Sequence, residues 1–278
     1  MVNKKFLLML SLSGVIAGAT FAQILVKGNI SDATTKEKLS YVNIGIRHKN
    51  IGTVSNIEGD FMISIPKENE QDTLIFSLVG YDDLKITVKN MPANGQVDLH
   101  KKVNELAEVS IKSPRLIEKK YGESSYHPLL HFTDGSTNQK DIFEIAQLIK
   151  LDTILSKVTS VNLFISLARK DSGIFRVNFY GFDGKHPTSR IVEKNITQTH
   201  AITPGWLKFD LNQYNIYLKG DFVIALEFIP ASPNIGPINY DIKIVGATKS
   251  FMRASSQGDW KLPPHHYVLY VTALMDKK

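Results

Sequence analysis

The stretch GTVSNIEGDF, residues 52–61, lies between two runs in which apolar residues alternate with other residues. Glu58 and Asp60 flank Gly59, so the stretch could be a metal loop, a catalytic pocket or a turn. Glycine adopts positive φ without steric cost and acidic residues favour tight turns, whereas a calcium loop needs more oxygen ligands at a denser spacing. The stretch therefore predicts a turn between two strands, after which Phe61 enters the core.

Apolar residues alternate with a period of two on both sides of this turn, and turn signals recur about every ten residues. This pattern is typical of a small antiparallel sandwich of short, half-buried strands. The apolar positions of the five predicted strands are Ile24, Val26 and Ile30; Val42, Ile44 and Ile46; Phe61, Ile63 and Ile65; Leu74, Phe76 and Leu78; and Leu84, Ile86 and Val88.

Four short motifs in this region resemble the carboxypeptidase regulatory-like module: VNI at 42–44, GTVS at 52–55, EGDF at 58–61 and LVGY at 78–81. The resemblance covers residues 24–90 and implies a transthyretin-like β-sandwich, which we assign to residues 23–111. It also implies an exported protein of the kind found in Bacteroidota-type bacteria, where the module often begins outer-membrane receptors.

The first 22 residues have the pattern of an export signal. Lys4 and Lys5 precede an apolar run, and small residues around Ala22 suit a signal peptidase, which predicts cleavage after Ala22. The alternative is a membrane anchor, but the run is short and no stop-transfer charges follow it. We expect a signal peptide over 1–22, no transmembrane span after its removal, and a location in the periplasm, at the outer membrane or on the cell surface.

The composition excludes several classes of protein. The chain has 278 residues and no cysteine, so an exported form cannot rest on disulfide bonds and must bury enough apolar area instead. The net charge of +6 is mild and its lysines are dispersed, which disfavours nucleic acid as a partner.

A second β domain is predicted over residues 140–278, after a polar linker over 112–139. At least seven alternating segments follow residue 155, which indicates a jelly-roll-like sandwich and an all-β protein. The segment DIFEIAQLI at 141–149 fits a short helix or a strand. The clearer predicted strands lie near 161–167, 175–179, 207–211, 222–228, 240–246, 250–254 and 266–274.

The motifs of catalysis and cofactor binding are absent from the sequence. None of the eight histidines is followed three positions later by Glu, as a zinc carboxypeptidase requires, and there is no Gly-x-Ser-x-Gly elbow or phosphate-binding loop. The adjacent His265 and His266 would point to opposite faces of a strand, and Pro128 separates His127 from His131 in a predicted loop. We therefore predict no catalytic residue, no metal site and no cofactor.

Dispersed carboxylates leave a carbohydrate-active enzyme as an alternative, because glycosidases need two acidic residues with no fixed spacing. Asp210, Glu227 and Asp241 fall in or beside predicted strands. We expect such acidic residues to lie at the solvent-facing rims of the sandwiches.

Aromatic residues give the positive indication of a ligand site, since sugar rings stack on Trp and Tyr beside polar groups. Trp260 lies in the polar segment SSQGDWKLPPHHY at 255–267, and Tyr180, Tyr240 and Arg253 are predicted to flank the same groove. Trp206 is expected to start a strand and seal the sandwich.

Together these features predict a non-catalytic exported binding or adhesion module of the cell envelope that recognises glycan or protein. The first alternative is a structural or assembly partner of an outer-membrane receptor system, docked through an exposed sheet edge. The second is the carbohydrate-active enzyme.

Overall fold

A computed structural model describes residues 22–103, 116–126, 131–134, 141–168, 172–230, 238–243 and 248–276. Nearly all of the predicted signal peptide lies outside these residues. In the described part of the chain there is no α-helix, and hence no helix that could cross a membrane. The all-β prediction of two successive sandwiches is confirmed.

The first domain is a sandwich of a three-stranded sheet, in the order β4-β1-β7, and a four-stranded sheet, in the order β3-β2-β5-β6. The apolar positions predicted from the alternation pack between the two sheets, with Ile30, Ile44 and Phe76 fully buried. Its strands are β1 (Gln23–Asp32), β2 (Asn43–Ile46), β3 (Gly52–Val54), β4 (Asp60–Pro66), β5 (Thr73–Ser77), β6 (Leu84–Thr87) and β7 (Gln96–Leu99).

The turn predicted at residues 52–61 forms between β3 and β4. Gly59 has a φ of +79°, and a Cβ at this position would lie 2.6 Å from the carbonyl oxygen of Ile30. The side chain of Asn56 closes the turn, because its Oδ1 accepts the backbone N–H groups of Glu58 at 3.0 Å and Asp60 at 2.8 Å. Phe61 then enters the core, as the sequence predicts.

The second domain is also built from two sheets, which enclose the larger core. Six strands form one sheet, with the path β13-β12-β17-β10-β19 and β14 added to β12; eight form the other, with the path β20-β18-β11-β21-β8 and β15, β16 and β9 added. The bounds are β8 (Leu116–Gly122), β9 (His131–Asp134), β10 (Phe143–Lys150), β11 (Ser156–Ala168), β12 (Ser172–Phe182), β13 (Pro187–Arg190), β14 (Ile196–Ala201), β15 (Gly205–Asp210), β16 (Ile216–Leu218), β17 (Asp221–Ile229), β18 (Ile238–Lys243), β19 (Ser250–Arg253), β20 (His266–Tyr267) and β21 (Leu269–Asp276).

The interval 112–139, predicted to be a linker, contains two strands of the second domain. β8 pairs with β21 in antiparallel register, and β9 pairs with β18. The sequence LIEKKYG of β8 is charged because this strand lies at the edge of its sheet, where lysine is common and one side of the backbone faces solvent. The charged residues of this edge strand interrupt the apolar alternation, which is why the sequence pattern did not predict a strand here. The ambiguous segment at 141–149 is strand β10.

The four-stranded sheet of the first domain and its turns contact the six-stranded sheet of the second domain. Arg176 Nη2 donates to the carbonyl oxygen of Tyr41 at 2.5 Å, and Ser256 Oγ donates to that of Ile44 at 3.0 Å. Glu193 accepts from Lys102 Nζ at 2.7 Å and from the backbone N–H of Gly80 at 3.2 Å. These polar contacts fix the position of one domain on the other.

Asp141 is a buried carboxylate at this interface. Its oxygens accept the backbone N–H of Ile142 at 2.8 Å and that of Ser256 at 3.1 and 3.2 Å. Burial raises the pKa of Asp141 from 3.8 to about 6, although these hydrogen bonds lower it. Gly52 approaches so closely that a Cβ there would lie 2.0 Å from Asp141 Oδ2. Gly52, the first residue of the GTVSNIEGDF stretch, therefore has to be glycine because the Asp141 side chain of the second domain lies against it.

We expect Gly52→Ala to destabilise the protein by about 1–3 kcal/mol, because the added methyl group would displace the Asp141 carboxylate. The free energy of unfolding, measured in denaturant, checks this. In an Asp141→Ala background Gly52→Ala should destabilise the protein much less, because the carboxylate that the methyl group would displace is no longer there. An equal cost in both backgrounds would contradict the contact.

We expect Asp141 to make stability fall as the pH rises. Its folded-state pKa of about 6 exceeds the ordinary 3.8, so the folded protein binds a proton that the unfolded chain has released. This contribution, about 3 kcal/mol at 1.36 kcal/mol per pKa unit, is complete below about pH 4 and is lost as the pH rises through 6. Asp141→Asn should lack it.

Unfolding free energies at several pH values between 4 and 7 test this difference. The control is Asp259→Asn, whose carboxylate is mostly exposed at the same interface. If the wild type and Asp141→Asn change in parallel over this range, Asp141 does not titrate as described.

Candidate functional site

The outer face of the six-stranded sheet carries a network of buried charges beneath the first domain. Glu144 and Glu227 are register partners on β10 and β17, and both are 0% exposed. Arg176 Nη1 donates to Glu227 at 2.7 Å, Arg253 Nε donates to Glu144 at 2.6 Å, and Asn178 Nδ2 donates to both carboxylates. We call these five residues the buried charge network.

The network keeps the Glu227 carboxylate ionised and gives both carboxylates hydrogen-bond partners. Burial opposes the ionisation of Glu227, but Arg176, Arg190 and Arg253 together keep the pKa of this carboxyl below its ordinary value. A buried ion pair of this kind contributes little net stability, yet losing one partner costs several kcal/mol because a charge is left unpaired. The arrangement therefore orders the sheet and does not leave a carboxylate free to exchange protons with a substrate.

Three of the four residues predicted for the ligand site come together beside this network. The rings of Tyr180 and Trp260 lie 5.5 Å apart, and the Arg253 guanidinium lies 4.7 Å from the Trp260 ring and donates to Tyr180 Oη at 3.0 Å. Tyr180 is buried, and burial raises its pKa well above the ordinary value. Tyr240 belongs to β18 in the other sheet, and its side chain lies outside the described residues.

A cleft of about 450 Å³ opens next to these three residues, between the two domains. We call it the interdomain cleft. Tyr180 and Arg253 form part of its wall, and serine and threonine hydroxyl groups and further charged side chains form the rest. A polar cleft of this size falls within the range of small-molecule sites, so its position beside the predicted residues makes it one candidate site.

The structure does not support the dispersed carboxylates as a catalytic pair. Glu227 was expected at a solvent-facing rim, but it is fully buried because the first domain covers this sheet face. Asp210 is exposed on β15 of the other sheet, and the side chain of Asp241 lies outside the described residues. Glycoside hydrolysis requires two carboxylates that face each other across a cleft. Asp210 and Glu227, whose side chains the structure describes, lie on different sheets and do not form such a pair.

The predicted histidine placements are described only in part. His265 is buried and its ring lies 5.4 Å from that of Tyr267, while His266 Nδ1 lies 3.4 Å from Ser250 Oγ. His127 and the side chain of His131 fall outside the described residues. Within the described ranges, no three His, Asp or Glu side chains gather closely enough to hold a metal ion.

A second candidate site lies on the outer face of the eight-stranded sheet, on the side away from the first domain. Phe164 stacks on Tyr126 at 4.2 Å and meets Trp206 edge-on at 5.2 Å, and Trp206 meets Tyr270 edge-on at 4.8 Å. Trp206 is 38% exposed and Tyr126 53% exposed. We call these four residues the aromatic face.

Polar side chains surround the aromatic face on the same side of the sheet. Asn162 pairs with Tyr270 on one neighbouring strand and with Lys208 on the other, and its Nδ2 donates to Ser160 Oγ at 2.9 Å. Lys120 places its ammonium group 4.9 Å from the centre of the Tyr270 ring. Exposed rings with hydrogen-bonding groups beside them match the apolar faces and hydroxyl groups of a sugar.

The alternation of residues in the sequences of β11 and β15 indicated part of this face. Phe164 and Trp206 occupy the strand positions opposite the core residues Leu163 and Leu207, so the alternation placed both on the outer side. Trp206 was expected to seal the sandwich, but its ring instead lies over the outer surface. The cross-strand pairing of Phe164 with Trp206, which brings the rings together, depends on register and could not be read from one strand alone.

Comparison with known families finds a match to the first domain. The family model described as the CarboxypepD_reg-like domain matches residues 26–111, in agreement with the resemblance seen in the sequence motifs. This family is a non-catalytic β-sandwich domain, and the match covers the strands β1–β7 except for the first residues of β1. No curated protein sequence matches the chain.

Solved structures show low similarity to this chain. The cysteine protease and lectin-like domains of Cwp84, a surface layer associated protein of Clostridium difficile, share 11% identity at a TM-score of 0.44; the alignment covers 85% of this chain and 59% of that one. Clostridial cysteine protease Cwp84 after propeptide cleavage shares 10% identity at a TM-score of 0.43, and the alignment covers 90% of this chain and 70% of that one. The infectious bursal disease virus Gt strain shares 10% identity at a TM-score of 0.29, with 91% of this chain and 59% of that chain covered. The chain thus spans less than two thirds of the first structure, and no activity is transferred from any of them.

Proposed function

We propose that this protein is a non-catalytic, exported binding protein of the bacterial cell envelope that recognises carbohydrate through the aromatic face. The observation that carries the proposal is the group of four clustered rings on the side of the second sandwich away from the first domain, with Trp206 and Tyr126 clearly exposed. The non-catalytic family of the first domain and the fully engaged carboxylates of the buried charge network support a binding role over a chemical one.

The geometry suits a sugar better than a purely apolar ligand. Trp206 offers an exposed indole for stacking against the C–H groups of a pyranose ring. Lys208 is exposed on the same face of β15, two residues further along the strand, and can hydrogen-bond hydroxyl groups of the same ring. The proposed location in the envelope rests on the export signal predicted for residues 1–22 and on the resemblance of the first domain to a module common in exported proteins.

We expect the protein to bind glycans on an array, and Trp206→Ala to weaken that binding at least tenfold, which is about 1.4 kcal/mol. Loss of the indole removes the stacking surface while β15 keeps its backbone pairing with β11. Titration of the strongest array ligand by calorimetry provides the measurement.

Trp260→Phe is the matched control, because Trp260 lies beside the interdomain cleft and does not contact the aromatic face. It should bind the glycan as the wild type does. An array without binders, or equal affinity in Trp206→Ala and the wild type, would overturn the proposal.

A second candidate function is docking on an outer-membrane protein, and the edge of the three-stranded sheet favours it. In the described part of the chain, β4 pairs with β1 on one side and with no strand on the other. Leu25 and Met62 on this sheet are exposed apolar side chains. A free edge beside apolar residues can accept a strand from another protein.

We expect a docking partner, if this edge binds one, to be recovered from outer-membrane extract by the wild type and lost with Met62→Lys, since a charge at a sheet edge discourages strand addition. Trp206→Ala is the control and should keep the partner. Recovery of the same proteins by all three would show that the edge is not the docking site.

A further inference from the structure

The interdomain cleft carries an excess of positive charge. Its wall contains four cationic side chains, Arg47, Lys102, Arg190 and Arg253, and two acidic ones, Asp83 and Glu193. Because the cleft lies between two domains, its charges are partly shielded from solvent and act on a ligand more strongly than charges on an open surface.

Two of the four cations are already neutralised by partners in the fold. Lys102 pairs with Glu193 at 2.7 Å, and Arg253 pairs with Glu144 at 2.6 Å. Arg47 and Arg190 have no carboxylate within 4.0 Å among the described residues. Arg47 and Arg190 therefore line the cleft without forming an ion pair with a described residue, and Asp83 is an acidic residue of the wall for which the same holds.

Arg190 is held in place but incompletely bonded. Its Nε is shielded from solvent and has no hydrogen-bond partner, and its Nη1 is 3.4 Å from Ser77 Oγ, which is a long contact. β13 fixes its backbone, since Arg190 pairs with Tyr180, and its guanidinium lies 5.8 Å from the Tyr180 ring. A buried donor without an acceptor destabilises the free protein, and the Nη groups of the same guanidinium, which lines the cleft, can donate to a ligand there.

An oxyanion is the ligand group that fits this arrangement. A planar guanidinium donates two parallel hydrogen bonds to a carboxylate, sulfate or phosphate. Ser77, Thr188 and Ser189 line the same wall and add hydroxyl groups that can donate to further oxygens. The cleft volume of about 450 Å³ leaves room for a small molecule attached to the anion.

We propose that the interdomain cleft is an anion-binding site in which Arg190 and Arg47 hold the oxyanion group of a small ligand. The site is distinct from the aromatic face and lies on the other sheet of the second domain. It uses residues of both domains, because Arg47 and Ser77 come from the first and Arg190 from the second.

Trp260 provides a fluorescence probe for this site, since its ring contacts Arg253 and Tyr180 at the cleft wall. The chain has two tryptophans, so Trp206→Phe leaves Trp260 as the sole one. This background also impairs the aromatic face, which keeps the test independent of carbohydrate binding there. Sulfate, phosphate and glucuronate are titrated separately into the Trp206→Phe protein, with chloride added to hold the ionic strength constant.

We expect a saturable change in Trp260 fluorescence with at least one of the three anions. Arg190→Gln and Arg47→Gln should each weaken binding at least tenfold, and Arg190→Lys should recover part of the loss because it restores the charge without the paired donors. Arg47 is exposed, so Arg47→Gln keeps the fold and remains informative if Arg190→Gln does not fold.

The matched control is Lys219→Gln, which removes an exposed positive charge outside the cleft. It should bind like the unsubstituted background. Preference for glucuronate over both inorganic ions would identify an acidic sugar as the ligand class, and equal binding of sulfate and phosphate would identify any tetrahedral oxyanion. The absence of saturation with all three probes, or equal affinities in Arg47→Gln and Lys219→Gln, would overturn the proposal.

Discussion

The arrangement of the two sandwiches depends on the hydrogen bonds of the fully buried Arg176 guanidinium. It forms an ion pair with Glu227 within its own sheet and donates a hydrogen bond to the Tyr41 carbonyl of the other domain. Arginine suits this position because its planar fork can satisfy two partners in different directions at once. The cleft, the covered sheet face and the close approach of Gly52 to Asp141 all follow from this fixed domain contact.

This contact explains why acidic residues lie where sequence reasoning did not place them. Alternation within a strand shows that two faces differ, but it does not show what covers the second face. In β10 every residue before Lys150 is buried, Glu144 and Gln147 included, because one face meets the core and the other is covered by the buried charge network and by an apolar cluster that includes Phe251 and Trp260. The acids were expected at solvent-facing rims. Glu227 is instead buried between the domains and paired with Arg176, which is distant in the sequence, whereas Asp210 is exposed.

The sequence predicted the strand content well, since the core positions of both sandwiches follow a period of two. The turn at Gly59 was also predictable, because glycine and acidic residues favour that backbone locally. The edge strand β8 was not predictable from alternation, since its exposed charges resemble a linker. The candidate sites were predictable only in part. The structure places Tyr180, Arg253 and Trp260 together, and their role in ligand binding stays a prediction, whereas the pairing of Phe164 with Trp206 is set by cross-strand register.

The placement of β8 also decides where the second domain can be separated from the first. β8 is the outer neighbour of β21 along Tyr270–Asp276, although β8 is the first strand of this domain in the sequence and β21 the last. A second domain transferred without it would expose that row of backbone amide and carbonyl groups, and such rows recruit other chains. A fragment of the second domain that keeps β21 paired on both sides therefore has to begin at or before Leu116.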